Sequence, residues 1–193
     1  MMNIFKGESM LKWLWLTVLV VLIDQATKQW ASHGLALFHT VKLMPMLNLY
    51  LAHNEGAAFN FLSDAGGWQR WFFSLVALVI SAALVVWIRK LHKHEHWIAI
   101  GLAFILGGAL GNVIDRILFG YVIDFIQFYY AGQSCLPGFT LLYSKQTAQC
   151  IWPTFNIADS AITVGAAILI LDGILSLKRK RHDAESTHEA KHG

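Results

Sequence analysis

The amino-acid sequence predicts an all-α membrane protein with four transmembrane helices, a small extracytoplasmic β-containing region and a long extracytoplasmic loop. Of its 193 residues, 56% are hydrophobic and 14% are charged, whereas roughly 45–50% apolar and about 25% charged residues are usual in a soluble domain. Four apolar runs are each long enough to cross a bilayer, which takes about 20 helical residues. The sequence therefore predicts a single integral membrane domain over residues 1–193.

The predicted spans lie at about residues 12–31, 68–88, 97–119 and 156–177. A secretory signal peptide is the alternative for the first span, because Lys6 and Lys12 precede its apolar core. No A-x-A-like cleavage site follows promptly, and the helical pattern continues, so a span is favoured. Residues 41–51 alternate near a proline and predict one or two short strands. The polar residues from about 178 to 193 predict a disordered tail.

Basic residues determine the predicted orientation. They are concentrated before the first span, between the second and third, and after the fourth. Because cytoplasmic loops are enriched in Lys and Arg, both termini are expected in the cytoplasm. The long loop that contains Cys135 and Cys150 then faces outward. In an oxidising compartment these two cysteines could form a disulfide, and the sequence alone does not decide between a disulfide and two free thiols. The net charge of +3 reflects this orientation rather than nucleic-acid binding.

Histidines are the first candidates for a metal site. His92, His94 and His96 lie in a short charged turn and are not spaced as an H-E-x-x-H motif. A solvated cytoplasmic turn is therefore favoured over a metal site. No metal and no cofactor are predicted.

Ionisable residues inside the spans mark candidate functional positions, because a charge at membrane depth costs several kcal/mol unless it is paired or hydrated. Asp24 and Lys28 are four residues apart in the first span and share a helix face. A self-paired structural couple is favoured over direct catalysis for these two residues.

The third span ends in a polar group. Gly108, Asn112 and Asp115 share one helix face, and Arg116 falls beside Asn112. Glycines spaced as small-xxx-small allow a neighbouring helix to approach closely. This pattern predicts a prepared polar pocket, with an ordinary ion-paired helix end as the alternative.

Two more carboxylates border the last two spans. Asp124 follows a turn after the third span, and Asp159 lies in the first turn of the fourth. Asn156 is the expected N-cap with Asp159 at N3, and capping alone would explain Asp159. Asn54 lies in a turn-like stretch, where a turn former is favoured over a contact to a bound peptide.

Two outward carboxylates at a bilayer edge suit aspartic peptidase chemistry, in which one ion activates water while its protonated partner polarises a carbonyl. A proton- or ion-coupled transporter is equally compatible with the residues alone, and a non-enzymatic assembly subunit stays open. A transporter needs carboxylates that are reachable from both sides of the membrane. All the candidates except the Asp24/Lys28 couple are expected near one face.

Five motifs occur in order along the chain and together resemble the lipoprotein signal peptidase (signal peptidase II) family. They are Asp24-Gln25-x-Thr27-Lys28, Asn54-x-Gly56-Ala57-Ala58-Phe59, Gly107-Gly108-Ala109-x-Gly111-Asn112-x-x-Asp115-Arg116, Gly120-x-Val122-x-Asp124-Phe125 and Phe155-Asn156-x-Ala158-Asp159-Ser160. The resemblance implies that Asp124 and Asp159 are the catalytic dyad. It implies supporting or substrate-binding roles for Asp24, Lys28, Asn54, Gly108, Asn112, Asp115, Arg116, Asn156 and Ala158.

The resemblance also implies the reaction and its setting. A monomeric aspartic endopeptidase of the bacterial inner membrane would cleave a diacylglyceryl-modified prolipoprotein just before the lipid-modified cysteine, in contact with membrane lipid. Asn54, Asn112 and Arg116 are expected to hold the substrate backbone, with Arg116 also paired to Asp115. One departure from the family is the segment between Asp124 and Asp159, which is longer than usual and is expected to alter the outer loop over the cleft.

Overall fold

The computed structural model describes residues 9–56, 67–132, 134–143 and 148–192. A 3-10 turn at Met10–Trp13, capped by Ser9, leads into the first of four α-helices. The helices are α1 (Leu14–Gly34), α2 (Gln69–Lys90), α3 (His96–Leu118) and α4 (Ile157–His192). Each contains a segment long and apolar enough to cross a membrane, so the predicted four apolar helices are confirmed.

The last helix differs from the prediction. The sequence predicted a disordered tail from about residue 178, whereas the backbone continues as α-helix to His192. The tail is rich in Lys, Arg, Glu and Ala, which are strong helix formers, so a helix already begun in the apolar segment can propagate through it.

A five-stranded antiparallel sheet accompanies the helices. Its strands are β1 (Thr40–Met44), β2 (Leu47–Asn54), β3 (Val122–Ala131), β4 (Thr140–Tyr143) and β5 (Ala148–Ile151), in the order β1-β2-β3-β5-β4. The predicted pair of short strands is present as β1 and β2. The stretch expected as a long loop after Asp124 instead contains three strands: most of β3, which runs for 10 residues, and the β4–β5 hairpin.

Helix α3 is the central helix, since α1, α2 and α4 all pack against it. Its contact with α4 is close because the facing positions lack side chains: a Cβ on Gly101 would lie 3.0 Å from the carbonyl oxygen of Gly165, and a Cβ on Gly108 would overlap the carbonyl of Ala158. The lipid-compatible outer faces carry large exposed apolar residues such as Leu22, Val79 and Leu177. This packing brings the polar end of α3 against the first turn of α4.

A disulfide joins Cys135 to Cys150, with their Cα atoms 5.4 Å apart. Cys150 is fully buried in β5, where it pairs with Tyr130 of β3 and Leu141 of β4. The bond therefore ties the segment that precedes β4 to β5, the strand between β3 and β4 in the sheet. Of the two alternatives that the sequence left open, the structure contains the disulfide.

Candidate active site

The candidate catalytic carboxylates come from different elements and line the same cavity. Asp124 lies on β3 and is 2% exposed, whereas Asp159 lies in the first turn of α4 and is partly exposed. The cavity has a volume of about 830 Å³, and Asn54, Asn112 and Arg116 also line it. The fold therefore gathers onto one cavity residues that are distant in the sequence.

Asn156 connects the two carboxylates. Its Nδ2 donates to Asp124 Oδ1 at 2.8 Å, to Asn112 Oδ1 at 3.1 Å and to the carbonyl of Ile123 at 3.2 Å. Its Oδ1 accepts from Asp159 N at 2.9 Å, and Asp159 Oδ2 accepts from Asn156 N at 3.2 Å. These reciprocal bonds form a capping box at the start of α4, so the expected N-cap is present. The side chain that caps the helix also orients Asp124.

Asn112 holds the other side of Asp159. Its Nδ2 donates to Asp159 Oδ1 at 2.8 Å, while its Oδ1 accepts from Lys28 Nζ at 3.0 Å. Because Oδ1 also accepts from Asn156, every polar atom of the Asn112 side chain is in use. The amide therefore has one orientation in this network, and that orientation presents a donor to Asp159.

The chemical environment of Asp124 favours its neutral form. Burial raises the pKa of Asp124 to about 7, and the negative charge of Asp159 also raises it. Hydrogen bonds from Asn54 and Asn156 and the charge of Lys28 act in the opposite direction. Asn54 Nδ2 donates to Asp124 Oδ2 at 3.1 Å. A carboxyl group that titrates near neutral pH is suited to general acid–base catalysis.

A buried ion-pair group lies directly behind the cavity residues. Lys28 Nζ lies 2.8 Å from Asp24 Oδ2 and 2.9 Å from Asp115 Oδ2, and all three side chains are fully buried. Asp24 Oδ1 accepts from Ala158 N at 2.9 Å, and Asp115 Oδ2 accepts from Ile123 N at 3.0 Å. The group thereby joins α1, α3, α4 and the backbone beside Asp124.

One expectation about this group is confirmed and another is wrong. Asp24 and Lys28 form the buried pair that was expected, and Lys28 also contacts Asp115 and Asn112. Asp115 pairs with Lys28 rather than with Arg116, whose guanidinium donates to the carbonyls of Asn112 and Gly56. The helix-face pattern placed Asp115 correctly beside Asn112, but its partner lies on another helix.

Two other candidates have structural roles that can be described directly. Asn54, the last residue of β2, accepts from Gly56 N at 3.1 Å and also donates to Asp124, so it is both a turn former and a contact of the cavity carboxylate. Gly108 and Ala158 are the small residues at which α3 and α4 meet. The rest of the Asn54 motif, residues 57–59, lies outside the described residues.

Sequence reasoning left two parts of the site unassigned. Gln25 Nε2 donates to Asp115 Oδ1 at 2.8 Å and to the carbonyl of Gly111 at 3.2 Å; a polar residue inside a span was the available signal for it. The cavity is also lined by Phe38, Tyr50, Phe128, Trp152 and Phe155. Nothing in the spacing of these aromatic residues predicts their convergence, which depends on sheet register.

Within residues 9–56, 67–132, 134–143 and 148–192, no group of three or more His, Cys, Asp and Glu side chains is placed to hold a metal ion. His92 instead contacts Glu95, with its Nδ1 3.1 Å from Glu95 Oε2.

The family described as signal peptidase (SPase) II matches residues 16–175. A lipoprotein signal peptidase from Pseudomonas putida is 46% identical over 169 residues, which cover 87% of this chain and 90% of that protein. One from Pseudomonas aeruginosa is 44% identical over 179 residues, covering 92% and 94%. A solved bacterial membrane enzyme has a TM-score of 0.68 and 30% identity, covering 91% of this chain and 93% of its own. The chain therefore belongs to the signal peptidase II family of proteases.

Proposed function

We propose that this protein is an aspartic endopeptidase that removes the signal peptide from prolipoproteins whose cysteine carries diacylglycerol, cutting just before that cysteine, with Asp124 and Asp159 as the catalytic dyad. The observation that carries the proposal is the single cavity onto which both carboxylates open, linked by the side chains of Asn156 and Asn112. Ser160 and His53 also line the cavity, but the Ser160 hydroxyl donates to the carbonyl of Asn156 at 3.0 Å and the His53 ring stacks on Tyr121, so these contacts do not make them a nucleophile–base pair.

In the proposed reaction the two aspartates have different roles. Asp159 accepts two N–H hydrogen bonds, from Asn112 and Asn156, which suits an ionised carboxylate, so it takes a proton from the attacking water. Asp124, with a pKa of about 7, holds a proton near neutral pH and donates it to the oxygen of the scissile carbonyl. The tetrahedral intermediate collapses when the proton on Asp159 moves to the leaving nitrogen and Asp124 recovers its own. No cofactor takes part in these steps.

Arg116 and Asn54 border the same cavity and support substrate positioning. Arg116 Nε is buried without a partner among the described residues, and Arg116 NH2 donates to the carbonyl of Gly56 at 3.1 Å. A fixed guanidinium beside a cavity suits a contact with peptide carbonyls of the substrate. The Asp24–Lys28–Asp115 group has a structural role, because it fixes the first turn of α4 and the backbone of β3, the two elements that carry Asp159 and Asp124.

The protein lies in the bacterial inner membrane with both termini in the cytoplasm, and the sheet and the cavity lie at the extracytoplasmic face. Two independent observations support this orientation. Basic residues are concentrated at the opposite ends of the spans, and the disulfide in the sheet region is a bond that persists in oxidising compartments. The substrate enters from the bilayer with its acyl chains among the spans, where each buried methylene contributes about 0.8 kcal/mol. One chain supplies all the proposed site residues, as expected of a monomer.

The test is cleavage of a diacylglyceryl-modified prolipoprotein by the purified protein in detergent, followed by gel shift. Asp124→Asn and Asp159→Asn should each abolish cleavage. Asp172→Asn is the matched control, because Asp172 lies on α4 but does not line the cavity, and it should cleave as the parent does. Cleavage that survives Asp124→Asn or Asp159→Asn would remove that residue from the dyad.

A further inference from the structure

The segment 134–139, here called the clasp, lies against the wall of the cavity and is fixed at several points. The Cys135–Cys150 disulfide joins it to β5. Leu136 N donates to the hydroxyl of Tyr130 at 2.6 Å, and the Phe139 ring packs edge-on against Tyr130 with centroids 5.1 Å apart. The clasp is thus held to both β3 and β5.

The clasp positions Trp152. Gly138 has a φ of +90°, and a Cβ there would overlap the six-membered ring of Trp152. Only glycine permits both this backbone conformation and this approach. Phe139 contacts the same indole edge-on, with centroids 5.2 Å apart, and Trp152 N donates to the carbonyl of Phe128 at 2.9 Å. The clasp and the β3 backbone therefore fix both the ring and the main chain of Trp152.

Trp152 also lines the cavity that contains Asp124 and Asp159. The lining of the cavity comes from two regions of the fold, called here the α4 end and the aromatic end. The α4 end consists of Ile162, Thr163 and Val164, within the candidate membrane span. The aromatic end consists of Trp152 with the sheet-region residues Phe38, Tyr50 and Phe128.

The direction of the substrate follows from these two ends. The signal segment is the apolar, membrane-embedded part of a prolipoprotein, so it belongs with the α4 end. The residues after the cleaved bond leave the membrane and pass the aromatic end. A fixed tryptophan at that end offers a large, rigid contact surface, of the kind that dominates binding energy at peptide interfaces.

We propose that Trp152, held in place by the disulfide-linked clasp, is a specificity-determining residue that contacts the substrate side chains directly after the lipid-modified cysteine. The proposal rests on the peptidase function and the dyad described above. It assigns the disulfide a positioning role in substrate selection, through the contact of Gly138 and Phe139 with the indole.

The test compares two diacylglyceryl-modified prolipoproteins that differ only in the two residues after the cysteine, Leu-Leu in one and Gly-Gly in the other. In Trp152→Ala, the ratio of kcat/KM for the Leu-Leu substrate to kcat/KM for the Gly-Gly substrate should fall about tenfold, as expected when an apolar side-chain contact is lost. Trp152→Phe should recover part of the preference. Leu136→Ala is the matched control, because Leu136 is in the clasp but is 64% exposed and outside the cavity.

The double variant Cys135→Ser/Cys150→Ser should lose the same preference, and adding Trp152→Ala to it should cause no further loss if both act through one contact. Cleavage of the Gly-Gly substrate shows that each variant is folded and active. An unchanged Leu-Leu to Gly-Gly ratio in Trp152→Ala overturns the proposal, even if the cysteine variant fails to fold. Failure of the parent to cleave either substrate would instead count against the peptidase function itself.

Discussion

Gly108→Ala is the change that most directly tests how helix packing builds the site. The new Cβ would overlap the carbonyl of Ala158 and lie 2.7 Å from Ile162 Cγ1. Ordinary carbon–carbon contact is about 3.5–4.0 Å, so α4 must move away from α3 by roughly 1 Å. The 2.8 Å hydrogen bond from Asn112 to Asp159 would then stretch, beyond the roughly 3.2 Å that such bonds tolerate.

A displacement of that size predicts a loss of activity in addition to a loss of stability. Misplacing a catalytic group by about 1 Å costs on the order of 10²-fold in rate, whereas overpacking costs about 1–3 kcal/mol of folding free energy. The assay is kcat for prolipoprotein cleavage beside thermal unfolding in detergent. Gly173→Ala is the control, because Gly173 lies on α4, the partner helix, and has nothing within 4 Å of the added Cβ. Parental kcat in Gly108→Ala would refute the reasoning.

Three further predictions concern charge. Because the pKa of Asp124 is about 7, kcat/KM should fall about tenfold for each pH unit above about pH 7. Asn54→Ala removes a hydrogen-bond donor that lowers this pKa, so it should move the decline to higher pH. Folding raises the pKa of Asp124 from 3.8, so the stability that its neutral carboxyl group contributes below about pH 4 is lost as the pH rises to about 7. Between pH 4 and pH 7 the Tm of Asp124→Asn should therefore change less than the Tm of the parent protein. An equal change in the two proteins would contradict the assignment. Lys28→Met leaves two carboxylates buried without their cation and should lower the free energy of unfolding by about 3–5 kcal/mol. Lys42→Met is the control, because Lys42 lies on the exposed strand β1 and its loss should not lower that free energy. Equal chemical denaturation curves for the two variants would count against this role of Lys28.

Local sequence patterns predicted the parts of the fold that depend on one segment. Apolar runs located the four helices, with the first expected at about 12–31 and present as Leu14–Gly34. The steps of three and four residues placed Gly108, Asn112 and Asp115 on one face, and the N-cap rule identified Asn156 and Asp159. Each of these is a property of a single helix, so the sequence contains enough information to predict it.

The parts that sequence reasoning missed depend on contacts between segments. Lys28 pairs with Asp115 across α1 and α3, and helix periodicity does not specify which helices are neighbours. The β4–β5 hairpin was expected as loop because the stretch is rich in Gly, Pro and aromatic residues; its register is set by pairing with β3 and by the Cys135–Cys150 bond. The aromatic end of the cavity depends on that register and was missed for the same reason.

The central position of Asn156 makes the site sensitive to chemical ageing. Deamidation converts an asparagine side chain into a carboxylate, and at Asn156 this would replace the Nδ2 donor that reaches Asp124, Asn112 and the carbonyl of Ile123. A third carboxylate would then lie between the two proposed catalytic ones. The reaction requires the backbone nitrogen of Ile157 to attack the side-chain carbonyl carbon, and the fold opposes it, since Asn156 is fully buried and its Oδ1 is held by Asp159 N. The hydrogen bonds that organise the site for chemistry therefore also protect the Asn156 amide from this reaction.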